Sequence, residues 1–308
     1  MDNGKTPIIQ TKRLLLREME SGDFDALYAV LADSDIMQHY PYTFDAARVH
    51  RWIDSNMERY RVYGFGLWAV CLRSTGEMIG DCGLSMQVID GTICPEIGYH
   101  IARAHQRQGY AKEAARACRD WAFTHTPLQV LYSYMKAANE ASRATAQANG
   151  MRLVRTFTDA EGETSTAYAV TRAEWQADQS EIWERLYRAA LAVQKERKVS
   201  NYIDAGGVAA AIQSASGRIY TGVCVDTCST LGICAERNAI FNMLANGEDR
   251  LARVLAVMPD GKTGAPCGAC RELMVQLMPE DYAGVEIMLD YTQKKVITLG
   301  ELTPEWWI

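Results

Sequence analysis

The chain has 308 residues, 48% hydrophobic and 23% charged, a composition that excludes a wholly disordered or fibrous protein. Its length favours two domains over one core. The net charge of −6 divides evenly, −3 on either side of a cut after Asp178, so neither half carries the basic excess that a nucleic-acid polymer rewards. Small solutes or peptides remain as partners. No run of eighteen apolar residues could span a membrane. The opening MDNGKTPIIQTKRLLL lacks the apolar core and cleavage site of an export signal. Nine cysteines without such a signal predict a cytoplasmic, reducing location, where thiols serve as ligands or packing.

In chain order, Thr11–Glu18 reads as a strand, and Asp23–Leu31 and Asp45–Tyr63 as helices with an acidic residue at each start. Gly66–Leu72 and Glu77–Met86 form paired strands around Ser74-Thr75-Gly76. Glu96–Ala102 is a strand, Gly109–Thr126 a helix, Leu128–Lys136 a strand, and Asn139–Ala148 a helix closed by Asn149-Gly150. Leu153–Thr158 and Thr164–Thr171 close this half as a hairpin.

Between the strand at Glu96 and the helix at Gly109 lies Gln106-Arg107-Gln108-Gly109-Tyr110-Ala111. Small residues at Gly109 and Ala111 let backbone N–H groups at a helix start approach an anion closely, which suits a pyrophosphate; an ordinary loop-to-helix turn is the competing reading. This run, with Thr11-Lys12-Arg13-Leu14-Leu15-Leu16-Arg17 and Asn149-Gly150-Met151, resembles the GNAT N-acetyltransferases over residues 8–174, in the branch that acetylates N-terminal amines of ribosomal proteins. The resemblance implies a mixed sheet with flanking helices and acetyl-CoA held by the N–H groups of Arg107 to Ala111. It also implies Asn139 and Ser142 near the pantetheine arm. The attacking amine must lose a proton. Glu96 is the first candidate to take it, against a reading as a solvated strand-end carboxylate; His100 fits a satisfied core histidine equally well.

Trp175–Ser180 is the expected boundary, giving domains 1–176 and 177–308. An amphipathic helix follows from Glu181 to about Lys198, then a hairpin of Val208–Ser214 and Arg218–Val223. Cys234–Ala245 and Cys267–Leu277 read as helices, with Val254–Met258 between them as a strand and Val285–Leu289 and Val296–Leu299 as strands after them.

All five histidines lie before residue 126, so a metal site in the second half must use thiolates or carboxylates. Cys234-Ala235-Glu236-Arg237 and Pro266-Cys267-Gly268-Ala269-Cys270-Arg271 each open a helix, where the backbone dipoles favour a thiolate. Cys267 and Cys270 share one helical turn, and Cys234 can supply a third sulfur. Three protein ligands leave the fourth tetrahedral position of a Zn²⁺ ion open, the catalytic pattern. Glu236 can exchange protons with a water there, and Arg237 can offset the charge of three thiolates. Redox and purely structural zinc readings compete. Cys224 and Cys228 read as packing or pocket wall.

This order of elements, with C-A-E-R and P-C-G-A-C-R, resembles the cytidine deaminases of homotetrameric type and the related blasticidin S deaminase over residues 180–300. The resemblance implies an α/β/α sandwich, zinc on Cys234, Cys267 and Cys270, proton transfer by Glu236, and Arg237 bonded to the ligand sulfurs. It also implies a homo-oligomer, tetramer or dimer. Cys224 and Asp226 stand where the family usually carries an Asn and a Glu that hold the ribose; with Ala235 they are the candidate substrate contacts. The expected function is therefore bifunctional: acetylation of an amine, and deamination of a cytidine-like nucleoside or a cytosine-bearing antibiotic. The alternative is an acetyltransferase whose second domain is a non-catalytic ligand-binding or oligomerisation module.

Overall fold

A computed structural model describes residues 7–307. Residues 1–6 of the opening stretch read for an export signal lie outside the described residues. Two compact units divide the chain, Met1–Gln176 and Ala177–Ile308. Among the described residues no helix is long and apolar enough to cross a membrane.

The first unit is a mixed sheet with helices packed against it. Its strands are β1 (Ile9–Gln10), β2 (Leu14–Arg17), β3 (Leu67–Leu72), β4 (Met78–Ile89), β5 (Thr92–Ile101), β6 (Val130–Lys136), β7 (Arg152–Thr158) and β8 (Thr164–Thr171). They lie in the order β1-β2-β3-β4-β5-β6-β8-β7. All neighbours are antiparallel except β5 and β6, which run parallel and register at Glu96↔Tyr132. Helices α1 (Phe24–Leu31), α2 (Ala46–Tyr63), α3 (Tyr110–His125) and α4 (Glu140–Ala148) cover the sheet. Leu14, Leu16, Trp68, Ile79, Leu84 and Ile97 from the strands bury against Leu27, Ile53, Cys118 and Phe123 from the helices.

Helix α5 (Arg172–Val193) carries the chain into the second unit. There β9 (Arg197–Lys198), β10 (Ile203–Ser214), β11 (Ile219–Thr227), β12 (Leu251–Val257), β13 (Glu286–Asp290) and β14 (Lys295–Thr298) form one sheet with α6 (Ala235–Ala245), α7 (Gly268–Leu277) and α8 (Leu299–Leu302). The strand order is β11-β10-β12-β13-β14, with β9 also on β10, and β12–β13 is the parallel pair. Alternation along β10 separates two cores. Ala210 and Ile212 meet Ile240, Met243, Met274 and Val275 of α6 and α7. Ala209 and Ala211 meet Trp183, Leu186 and Ala190 of α5. A sheet with helices on both faces is the expected α/β/α sandwich.

Two departures from the sequence reading have clear causes. The expected strands ending at Met86 and starting at Glu96 extend to a hairpin tip at Asp90-Gly91, where both residues have positive φ, 48° and 75°. The ribbon is exposed at Val88 and Ile93, so no period-2 burial pattern marked it. The helix expected over 181–198 starts at Arg172 instead, because Arg172 donates to the carbonyls of Leu128 and Thr126, and Trp175 donates to Asp120 Oδ1 at 2.8 Å. It stops early because the Gln194 amide donates to the carbonyls of Gly207 and Met258, turning Arg197–Lys198 into a strand on β10.

Candidate functional site

In the first unit, the loop before α3 is held by its own glutamines and by Arg13. Gly109 is the N-cap of α3 at φ 84°, and Arg107 is also in the left-handed region at φ 62°. A Cβ at Gly109 would sit 3.4 Å from the Arg13 guanidinium. Arg13 braces the turn: Nη1 donates to the Gln108 carbonyl at 2.9 Å, and the guanidinium lies 4.3 Å over the Tyr110 ring. Glu113 fixes Arg13 in turn, accepting from its Nε at 2.7 Å and its backbone N–H at 2.9 Å. This leaves the N-terminus of α3 facing a cavity of about 1120 Å³.

Gln106, Arg107, Gly109, Tyr110 and Ala111 line that cavity, together with Asn139 and Ser142. Gln108 does not; its amide turns back to the Ala104 carbonyl at 3.0 Å. Asn139 caps α4, accepting from the Ser142 N–H at 3.0 Å, and the Ser142 hydroxyl lies 2.9 Å from that of Tyr99. Glu96 opens onto the same cavity but is not the solvated strand-end carboxylate that the competing reading describes. It is buried, and burial lifts its pKa to about 7 against the opposing Tyr134 backbone N–H and Ser85 hydroxyl. Such a group changes protonation near neutrality. Arg13 as the brace was not singled out from the sequence, although the TKRLLLR run contains it.

In the second unit, Cys234 and Cys267 are the N-cap residues of α6 and α7. The Cys234 and Cys267 sulfurs are 3.5 Å apart, Cys267 and Cys270 also 3.5 Å, and all three lie within 4.8 Å of one another. Tetrahedral zinc with Zn–S of about 2.3 Å places thiolates about 3.8 Å apart, so the three sulfurs fit one ion. Arg237 donates toward the Cys234 sulfur at 3.8 Å, while its buried Nε has no partner, a cation aimed at a site expecting negative charge. Burial opposes ionisation of all three thiols. It prevails at Cys270 and Cys234, whereas at Cys267 the backbone N–H groups of Cys270 and Ala269 and the neighbouring sulfurs outweigh it and lower the pKa.

Close packing fixes this geometry. A Cβ at Gly222 on β11 would lie 2.3 Å from the Ala239 nitrogen and 2.6 Å from the Ala235 carbonyl, so α6 is pressed directly onto the strand. Asn238 donates to the Val223 carbonyl at 2.9 Å, and Val225 pairs with Ile233, setting the residue before Cys234. A cavity of about 460 Å³ results, walled by Cys224, Asp226, Ala235, Glu236, Arg237 and two of the three cysteines, Cys234 and Cys267. Glu236 is buried at this wall. Cys228 is away from the sulfur cluster, donating weakly to the Tyr202 carbonyl.

Comparison with known proteins gives both halves relatives. Residues 13–152 match the acetyltransferase (GNAT) domain family, and residues 180–283 the cytidine and deoxycytidylate deaminase zinc-binding region. The chain belongs to both families. It is 36% identical over 156 residues to the Bacillus subtilis "Uncharacterized protein YkkB", covering 50% of this chain and 90% of that one. It is 30% identical over 149 residues to the "Uncharacterized N-acetyltransferase YnaD" of the same organism, covering 47% and 82%. It is 32% identical over 100 residues to the cytidine deaminase of Halalkalibacterium halodurans, covering 32% and 74%.

Within the deaminase-family domain, Cys224 and Asp226 form a linked pair. The Cys224 sulfur accepts from the Val208 N–H at 3.2 Å and donates to Asp226 Oδ2 at 3.5 Å. Both contacts of the thiol are made within the wall, which leaves the Asp226 carboxylate as the stronger polar group of the pair. Membership of the GNAT family implies acetyl-CoA use, and the GNAT domain has a helix start facing a large cavity.

Proposed function

We propose that the chain is a bifunctional enzyme. Its GNAT domain transfers acetyl from acetyl-CoA to an amine, and its second domain hydrolytically deaminates a cytidine-like nucleoside or a cytosine-bearing antibiotic with Zn²⁺. The observation that carries the second activity is the convergence of three sulfurs beside a buried carboxylate in a cavity wall. Cys234, Cys267 and Cys270 would hold the zinc, which when bound supplies an activated water. Glu236 moves protons from that side of the cavity to the ring nitrogen and then to the departing ammonia. Arg237 and the starts of α6 and α7 offset the surplus negative charge of three thiolates. Cys224, Asp226 and the backbone at Ala235 bound the substrate.

In the GNAT domain, the N–H groups from Arg107 to Ala111 receive the pyrophosphate, Asn139 and Ser142 border the pantetheine arm, and Glu96 accepts the amine proton. An amine-bearing nucleoside antibiotic would be a substrate for both domains. The second domain would also make the protein a homo-oligomer; Phe241 and Leu244 are exposed on α6. A cytoplasmic location suits reduced thiols.

The deciding experiment measures ammonia release from cytidine, deoxycytidine and cytosine-bearing antibiotics, with zinc quantified in the same sample. Zinc bound with no ammonia from any of them would make the second domain a binding or oligomerisation module. Substrate preference gives a further test. Cys224→Asn restores an amide donor and acceptor, and should lower KM for cytidine at least about tenfold; an unchanged KM would remove Cys224 from the substrate wall.

The acetyl-transfer profile should also show Glu96. A base must be ionised to act, and burial holds this carboxyl near 7, so the rate should fall as pH drops through about 7. Glu96→Gln should remove that limb. A wild-type rate that is flat from pH 6 to 8 would exclude Glu96 as the base.

A further inference from the structure

His100 has no part in the account above, yet both its ring nitrogens are engaged. Asp81 on β4 is its direct cross-strand partner on β5, and Nδ1 lies 2.7 Å from Asp81 Oδ1. Asp81 is fully buried, and its Oδ2 accepts from Trp52 Nε1 at 2.9 Å. The carboxylate therefore takes a hydrogen from each side, which places the imidazole hydrogen on Nδ1. Nε2 is then left as an acceptor, and the Tyr40 hydroxyl lies 2.8 Å from it. A core histidine would end its network inside the core. This one ends at Tyr40, in the wall of the large cavity.

Glu96 reaches the same cavity from the same face of the sheet. Along the β4–β5 ribbon the cross-strand pairs run Asp81↔His100, Gly83↔Gly98, Ser85↔Glu96. Alternation puts all six residues on one face. The Asp81–His100 pair and Glu96 therefore lie on either side of Gly83 and Gly98, with the Leu67 side chain packed against Gly98.

An ammonium acceptor must lose two protons to become an amide. One leaves to expose the lone pair, and the second as the tetrahedral adduct collapses. We propose that Asp81, His100 and Tyr40 form a relay for the second proton, Glu96 taking the first; this rests on the acetyltransferase reading above. The nitrogen bonds to the thioester carbonyl carbon, and the carbon–sulfur bond breaks with its electron pair on CoA sulfur. The nitrogen's remaining surplus proton passes to Tyr40 Oη as Tyr40 gives its own to His100 Nε2. That proton returns through solvent to the CoA thiolate, and the proton on Glu96 leaves with product release. Tyr40 and His100 are the catalytic pair, and Asp81 is a positioning residue that holds the tautomer and stabilises the imidazolium.

The charges around the relay agree with this. Burial disfavours the His100 imidazolium, but the Asp81 carboxylate, aided by Glu96, outweighs it and raises the pKa. Tyr40 is faced by Glu96, Asp81, Tyr134 and Tyr42, and burial with these neighbours pushes its pKa well up. It therefore rests as the neutral phenol.

The test uses the full chain, acetyl-CoA, and three amines: phenethylamine, spermidine and the dipeptide Ser-Ala, with CoA thiol release as readout. Tyr40→Phe and His100→Gln should each lower kcat about 10²-fold, with CoA affinity within about twofold of wild type as the folding control. Independently of turnover, imidazole ¹⁵N shifts at pH 9 should report His100 with hydrogen on Nδ1, a preference lost in Asp81→Asn. Wild-type kcat in both Tyr40→Phe and His100→Gln overturns the relay, and so does an Nε2–H tautomer in the wild type. CoA binding without turnover of any amine overturns the acetyltransferase reading and the relay with it, whereas wild-type turnover with unchanged kcat in both variants overturns the relay alone.

Discussion

Glu236→Ala should lower kcat for ammonia release by about 10²–10⁴-fold while the protein keeps its zinc. The size follows from what the carboxylate is asked to do. It sits next but one to Cys234 on the first turn of α6, buried at the wall of the 460 Å³ cavity that Cys234 and Cys267 also line. No other carboxylate in that wall lies so near the sulfurs in sequence; Asp226 is tied instead to the Cys224 thiol. Losing Glu236 therefore removes proton transfer both to the ring nitrogen and to the leaving ammonia, with no substitute positioned. Alanine suits the interior of a helix, and all three sulfurs remain, so metal content should stay at the wild-type ratio. Zinc retained with the rate unchanged would remove Glu236 from the chemistry. Glu236→Gln adds a check, because it keeps the volume and a hydrogen bond but cannot carry the proton; it should be nearly as slow.

The ease with which this site reads from sequence has a local cause. Cys267 and Cys270 are three residues apart, and Cys234 is capped in the same way at the start of another helix, so short-range rules of helix geometry nearly place the sulfurs. What remained was the distance between two helix starts, and Gly222 fixes one of them by letting α6 lie against β11. The large cavity of the GNAT domain is less legible because its parts are far apart in the chain. Arg13 meets Gln108 across 95 residues, and Tyr40 meets His100 across 60. Nothing in the immediate surroundings of Tyr40 or Asp81 announces a proton path, since a buried Asp–His pair is written like any other polar strand pair. The same limit explains β9: Arg197–Lys198 continues a helix-permissive run, and only the Gln194 amide bonding to Gly207 and Met258 ends the helix before it. Conversely, the Asp90-Gly91 turn carried a local hairpin signal, and the exposure of Val88 and Ile93 hid the strands that flank it.

Cys270→Ser should abolish ammonia release and reduce bound zinc to a small fraction of one per chain, while acetyl transfer continues. Cys270 is the fully buried member of the sulfur cluster, and a serine oxygen there is a hard, neutral ligand in place of a thiolate. Chelation of the wild type should reproduce the same division, because the residues assigned to acetyl transfer, from Tyr40 to Ser142, all belong to the first unit and include no sulfur. Metal loss should also lower the thermal midpoint of the second unit without unfolding it. Ile212, Ile240, Met243, Met274 and Val285 form an apolar core in which Cys270 is one member among many, unlike a zinc finger, whose folding energy is the metal's. A metal that binds only the folded state adds about 4 kcal/mol at a thousandfold excess over its Kd, which sets the scale of the shift. If the second unit lost all structure on chelation, zinc would be its structural centre. If chelation dissociated an oligomer yet spared ammonia release, the ion would serve assembly. Loss of ammonia release from a folded, chelated protein, restored by added Zn²⁺, is the outcome that a hydrolytic metal centre requires.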